Sequence, residues 1–293
     1  MHYIEPLYRP PSEAHSLILQ VTNGCSWNHC TFCDMYTQPQ KKFRPTPQAE
    51  IDAGLAEIAA AGTPVRRIFL ADGDAMTLSM RRLKAIMESI NRYLPGVQRV
   101  ASYCLPRNIS KKSVEELAEL REMGLSLFYV GCESGDDLVL DRVHKGETFE
   151  TSLSALQKIK AAGAKSSVMI LNGLGGSRYS EQHALNSARL MNAAQPEYLS
   201  TLVVSFPLGM ERFEAGFKGE FEPLDQAGLF HEMYQLLDAL DLEQTIFRSD
   251  HASNYLSLKG TLGKDKGKLL DSVRTAIERP DDANLRAEWQ RGL

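Results

Sequence analysis

The sequence predicts an α/β fold built on a parallel sheet, and three observations carry that reading. Amphipathic helix, glycine and apolar strand follow one another three times, with the glycines at Gly62, Gly124 and Gly163. The strand segments are continuous apolar runs rather than alternating ones, as expected for strands covered on both faces. Six such segments occupy roughly 190 residues, which suits an open sheet or a partial barrel of βα units.

The elements follow in order. Residues 17–21 read as the first strand. Residues 49–61 place Ile51, Leu55 and Ile58 on one helical face and stop at Gly62, a C-cap glycine. A strand at 67–71 (RIFLA) leads to a helix over 78–93, closed by Pro95 and Gly96. A third strand spans 100–104 and a helix 113–123. Residues 125–130 (LSLFYV) are too short between turn signals for a helix and read as a buried strand. Helix 151–162, strand 167–171, helix 181–194 and strand 199–205 complete the alternation. After Phe206 the rhythm changes: a turn-rich stretch, a helix at 229–240, a strand-like TIFR, the polar DHASNY and a lysine-rich final helix.

Hydrophobic residues make up 43% of the chain and charged residues 24%, with a net charge of −4. That balance argues against a broad polyanion-binding face and so against a nucleic-acid partner. Lys264, Lys266 and Lys268 read as a solvated helix face. The opening MHYIEPLYRPP has no charged-then-apolar leader, and no apolar run reaches the roughly 18 residues of a membrane span. The expectation is a cytoplasmic protein with no membrane partner. Five cysteines form neither an even set nor a disulfide framework.

Three of them, Cys25, Cys30 and Cys33, fall within nine residues (CSWNHCTFC) directly after the first strand. Clustered thiols in one loop suit a soft metal centre. Structural zinc wants four tetrahedral ligands, and here the fourth would be His29 or a distant side chain. An iron–sulfur cluster held by three thiolates instead keeps one iron open to hard donors such as an amine and a carboxylate. With three thiols spent, Cys104 and Cys132 are too few for a conventional second cluster.

At these residues the chain resembles the radical S-adenosylmethionine (radical SAM) enzymes. Their cluster loop follows the first strand and has an aromatic residue before its third cysteine, as Phe32 precedes Cys33. The common family spacing is three residues then two; this chain has four then two, C-x4-C-x2-C. Asp72-Gly73-Asp74-Ala75 follows the second strand, where the family has a glycine-rich turn with an acidic residue. The resemblance implies that Gly73 and Asp74 receive the methionine ammonium. Gly131-Cys132-Glu133-Ser134-Gly135, followed by DRVHKGET, resembles the family's Gly-x-Glu-Ser-Gly and Lys-Gly-x-Thr, with Glu133 toward ribose. Asn172-Gly173-Leu174-Gly175-Gly176 stands where family members bring backbone to adenine, which makes Gly173 a cofactor contact.

The resemblance covers residues 15–209 and implies a partial (β/α)6 TIM-like barrel with a C-terminal extension. Residues 1–14 then form an N-terminal extension, and 210–293 an extension over the barrel mouth. The implied reaction reduces a [4Fe-4S] cluster on Cys25, Cys30 and Cys33 and cleaves S-adenosylmethionine reductively. The 5′-deoxyadenosyl radical so formed abstracts hydrogen from a small-molecule substrate, with flavodoxin or ferredoxin as external one-electron donor. The stretch 248–255 (RSDHASNY) is similar to an uncharacterised bacterial subfamily of iron–sulfur oxidoreductase-like proteins, which brings no substrate.

Cys104 and Cys132 end strands on the expected active face and are candidate hydrogen-atom donors; as plain buried cysteines they would be small hydrophobes. His251, with Arg248, Ser253, Asn254 and Tyr255, is a candidate substrate contact; otherwise this is a hydrogen-bonded loop. The competing functions are a porphyrinogen-type oxidative decarboxylase, using Arg107, Arg178 and Arg248 for propionates, and a zinc- or cluster-binding protein without catalysis.

Overall fold

β1 (Leu17–Gln20) forms from the first apolar run and is followed by a short antiparallel pair, β2 (Thr22–Asn23) and β3 (Arg44–Pro45). α1 (Gln48–Ala60), β4 (Arg67–Ala71), α2 (Met80–Tyr93) and β5 (Arg99–Cys104) come next. α3 (Pro106–Ser110) and α4 (Val114–Glu122) lead into β6 (Leu125–Glu133). α5 (Asp137–Arg142), α6 (Phe149–Ala161), β7 (Lys165–Asn172), α7 (Gly176–Ala194) and β8 (Tyr198–Val203) continue the alternation. α8 (Glu211–Gly216), α9 (Gln226–Ala239), β9 (Ile246–Ser249), β10 (Leu258–Thr261) and α10 (Lys266–Glu278) finish it. This computed structural model describes residues 2–291. The sheet order is β1-β4-β5-β6-β7-β8-β9-β10, the mixed α/β, partial-barrel architecture that the sequence predicts.

The chain divides into two compact units. The first takes residues up to 28 with 35–130 and 157–166; the second takes 29–34, 131–156 and 167 onward. In the first, β1, β4, β5 and β6 pair in parallel, with Leu17 opposite Ile68, Ile68 opposite Val100 and Ala101 opposite Leu127. Phe69 and Phe128 are wholly buried there, each stabilising the fold by about 1.5–3 kcal/mol relative to exposure. α4 starts on a capping box: Ser113 Oγ accepts from the Glu116 amide, and the Glu116 carboxylate accepts from the Ser113 amide. Before β1, Glu13 is buried and accepts from the Tyr129 hydroxyl at 2.6 Å, from Ser16 and from Arg99.

In the second unit β7, β8 and β9 pair in parallel and β10 runs antiparallel to β9. Asp136 and Asp225 cap α5 and α9 through the amides of Val139 and Gly228. A core of Val139, Val143, Leu174, Phe213 and Phe217 is joined by Phe206 and Phe221. No described helix is long and apolar enough to cross a membrane.

Sequence periodicity misses the short helices α3, α5 and α8, each too brief to display a period. It also starts α7 at residue 181, because the glycine-rich Gly175–Gly176 turn that opens the helix carries no apolar pattern. The TIFR segment becomes β9, so the residues after 209 contribute two strands to the sheet as well as helices.

Candidate functional site

The cysteine loop is where the chain passes from one unit to the other: Cys25 belongs to the first, Cys30 and Cys33 to the second. All three are half-exposed. Cys30 and Cys33 sit in one turn, in which the Cys33 amide donates to the Cys30 carbonyl at 3.4 Å. Thr31 N donates to Val143 O at 3.0 Å, tying that turn to the end of α5. Among the described residues no three His, Cys, Asp or Glu side chains gather around a point that one metal ion could occupy. A four-iron cluster makes a different demand, because each thiolate binds its own iron and the sulfurs need not converge. Three half-exposed thiols within nine residues, with a buried ammonium beside Cys30, are a donor set that fits such a cluster.

In the first unit the turn after β4 is held rigidly. Asp72 is buried and accepts from Lys41 Nζ at 2.5 Å, also buried, and from the Gly24 amide at 3.1 Å. Gly73 passes against Tyr36, where a Cβ would lie 2.6 Å from the ring, so only glycine fits without displacing it. Asp74 is fully buried and accepts from the Ser26 hydroxyl, next to Cys25, and from the Asn108 amide. Burial raises its pKa to about 6, against the pull of those two hydrogen bonds. Both Asp74 oxygens thus have donors within the chain, and it fixes the start of the cysteine loop.

In the second unit Glu133 ends β6 with φ +64°, a left-handed conformation rare for its type. Oε1 lies 3.0 Å from Lys145 Nζ, and both side chains are buried. Gly131 makes the space, since a Cβ there would lie 2.2 Å from Glu133 Oε1 and 3.3 Å from Lys145 Nζ. Burial alone would lower the Lys145 ammonium; the Glu133 carboxylate and the Cys30 thiol outweigh it and hold its pKa above the usual lysine range. Lys145 Nζ also lies 5.8 Å from the centre of the Phe32 ring. Cys132 precedes Glu133 in β6. It is wholly buried, and burial pushes its thiol up to about 12. Cys104, at the end of β5, is likewise buried.

Gly173 has φ +85° and its amide donates to Glu232 Oε1 at 2.5 Å. Glu232 is buried, accepts from Ser180 at 2.6 Å and lies 3.9 Å from His183 Nε2. Burial raises its carboxyl above the usual range, against the opposing effects of His183, Ser180 and the Gly173 amide. His251 accepts the Ser253 amide on Nδ1 at 3.1 Å, which makes it a neutral imidazole. Burial, then the charge of Arg286, lowers its pKa, with Asp250 opposing. Arg286 donates to the carbonyls of Asp250, His251 and Asn254, and Arg291 Nε to that of Ser253. Of the arginines considered for propionates, Arg107 stacks 3.8 Å over Trp27 and Arg178 pairs with Glu220 at 2.8 Å.

Sequence reasoning gives Lys145, Arg212, Asn108, Ser26 and Glu232 no role, though each bonds to a predicted residue. Lys145 and Ser26 had a signal, their places in DRVHKGET and in CSWNHCTFC. The others come from distant segments that no local pattern connects.

Residues 19–190 match the model of the radical SAM superfamily. The heme chaperone HemW of Bacillus subtilis (strain 168) is 27% identical over 184 residues, 59% of this chain and 47% of that protein. A tRNA-2-methylthio-N(6)-dimethylallyladenosine synthase of Dehalococcoides mccartyi (strain CBDB1) is 30% identical over 166 residues, 55% and 37% of the two chains. The chain therefore spans less than half the length of these relatives. Among solved structures, coproporphyrinogen III oxidase (HemN) from Escherichia coli superposes with TM-score 0.55 at 15% identity, covering 76% of this chain and 50% of that one. Methylornithine synthase (PylB) gives TM-score 0.52 at 15% identity over 93% and 74%. Those two likenesses establish the fold alone. The family model spans more than half of the chain and takes in all three clustered cysteines, Asp74, Glu133 and Gly173, so the chain belongs to the radical SAM superfamily.

Proposed function

We propose that this protein is a radical enzyme that binds a [4Fe-4S] cluster on Cys25, Cys30 and Cys33 and cleaves S-adenosylmethionine to act on a small molecule. The observation that carries the reading is the C-x4-C-x2-C loop inside the matched segment, with an aromatic residue before its last cysteine. A cluster held there would supply the electron for breaking a carbon–sulfur bond of bound S-adenosylmethionine, the chemistry needed to take hydrogen from an unreactive substrate carbon. The chain's own residues bind and orient. Asp74 holds the start of the cysteine loop through Ser26, and Asp74 and Gly73 are assigned to the methionine end; Glu133, fixed by Lys145, and Gly173 are assigned to the nucleoside. Phe32 directly precedes the third cysteine, and residues 210–293 are assigned as a C-terminal extension of the core formed by 15–209. An external one-electron donor of flavodoxin or ferredoxin type would supply the electron that starts the reaction.

His251 is assigned to substrate, and Cys104 and Cys132 remain candidates for hydrogen return to a product radical. The burial of both thiols favours a packing role in the resting chain. A porphyrinogen substrate is the weaker reading, because Arg107 and Arg178 already have aromatic and carboxylate partners.

Anaerobic reconstitution with iron and sulfide, then dithionite and S-adenosylmethionine, tests the assignment. The expected result is a brown protein that releases 5′-deoxyadenosine, with colour and product both lost in Cys30→Ser. A colourless protein with one zinc, or a brown one that releases no 5′-deoxyadenosine, overturns it.

A further inference from the structure

Arg212 lies beyond the segment matched by the family model, on α8, yet its guanidinium grips the turn that carries two of the clustered cysteines. Nη2 donates to the Cys30 carbonyl at 3.0 Å. Nη1 donates to the Cys33 carbonyl at 3.3 Å and to Asp34 Oδ1 at 2.8 Å. The helix that presents it is anchored. Phe213 and Phe217 are buried, their rings 4.9 Å apart, with Phe221 5.0 Å from Phe217. Gly216 lets α8 touch the end of α5, since a Cβ there would lie 2.0 Å from Arg142 O. The next residue, Val143, accepts the amide of Thr31 inside the same turn. The Cys30–Cys33 turn is thus held on one side by the end of α5 and on the other by α8, and α8 itself rests on α5.

We infer that Arg212 is a positioning residue for the cluster-binding turn. By fixing two carbonyls and one carboxylate it sets the directions in which the Cys30 and Cys33 side chains leave the backbone before any metal arrives. The inference rests on the cluster reading given above. The fork geometry is the reason for arginine: two nitrogens of one rigid plane reach acceptors three residues apart, whereas a lysine ammonium is a point donor on a flexible stem. The Arg212 side chain is 44% exposed, so its charge is screened and its role lies in ordering the turn rather than in attracting thiolates. Asp34, only 17% exposed, keeps Nη1 in place.

The test compares the full-length wild type with Arg212→Ala and Arg212→Lys. Hydrogen exchange of the metal-free protein, read by mass spectrometry on peptides covering residues 29–34, measures the turn directly. Iron and sulfide per chain after anaerobic reconstitution, and the electron paramagnetic resonance spectrum of the dithionite-reduced protein, measure its effect on the cluster. Loss of charge-assisted bonds in Arg212→Ala is expected to speed exchange at Thr31 and Cys33 by roughly tenfold. Cluster content should fall several-fold and the spectrum become heterogeneous, with Arg212→Lys in between and circular dichroism unchanged in both. Exchange and cluster content equal to wild type in Arg212→Ala overturn the inference. Wild type that takes up no iron and sulfide overturns the cluster reading instead, and the exchange data still decide whether Arg212 holds the turn.

Discussion

Lys145 Nζ lies 3.0 Å from Glu133 Oε1, with the two side chains only 4% and 10% exposed. A buried pair of this kind adds little net stability as a whole, but removing one partner strands the other charge in low dielectric. Lys145→Met is therefore expected to destabilise the protein by about 3–5 kcal/mol, read by urea unfolding at pH 7. Lys145→Met with Glu133→Gln should recover much of that loss. Equal stability of the single variant and wild type contradicts a paired, desolvated carboxylate.

Asp74 gives a pH signature. Its pKa is raised to about 6 in the folded chain from 3.8, so between those values the folded state binds the extra proton. Stability from this group is fully present below pH 4 and is lost as pH rises through about 6. The gap between wild type and Asp74→Asn, followed by denaturant unfolding, should shift by about 2–3 kcal/mol in favour of the variant from pH 4 to pH 7.5. A pH-independent gap refutes the buried, proton-hungry carboxyl.

His251 runs the other way. Its pKa lies below the usual 6.5, so the unfolded chain takes the proton first and stability is lost as pH falls below about 6.5. In a nuclear magnetic resonance titration the His251 ring signals should have their midpoint below pH 6.5. Titration at or above 6.5 rules out the Nδ1 acceptor arrangement with Ser253.

Gly24 should tolerate no side chain. Its φ is +75° and a Cβ would lie 2.0 Å from the Lys41 carbonyl oxygen, a backbone atom that cannot swing aside. Gly24→Ala is expected to cost about 2 kcal/mol or more in thermal or chemical unfolding. It should also free the first half of the cysteine loop, because the Gly24 amide donates to Asp72.

Thiol labelling separates the five cysteines. Cys25, Cys30 and Cys33 are half-exposed, whereas Cys104 and Cys132 are buried and the Cys132 thiol is pushed up to about 12. Brief iodoacetamide treatment of the metal-free protein at pH 8, followed by peptide mass spectrometry, should mark the first three well before the last two. Early labelling of Cys132 disproves its burial.

The alternation of strands and helices was legible because continuous apolar runs and helix-ending glycines are local signals: Gly62, Gly124 and Gly163 all have positive φ. The cysteine loop was legible for the same reason, its residues being adjacent in the chain. The partners that fix it were not. Asn108 reaches Asp74 across 34 positions and Arg212 reaches Cys33 across 179, and no periodicity encodes such pairings. Glu133 could be picked out from its motif, yet its burial against Lys145 depends on the absent side chain of Gly131, a packing fact.

The stretch ahead of β1 looks dispensable, since the family match begins only at residue 19. Glu13 says otherwise, because its carboxylate neutralises Arg99 of β5 and receives the Tyr129 hydroxyl of β6. A protein shortened to the family core would leave that guanidinium and that phenol facing a hole. Removal of the residues ahead of β1 is therefore expected to lower the unfolding midpoint unless Glu13 is kept.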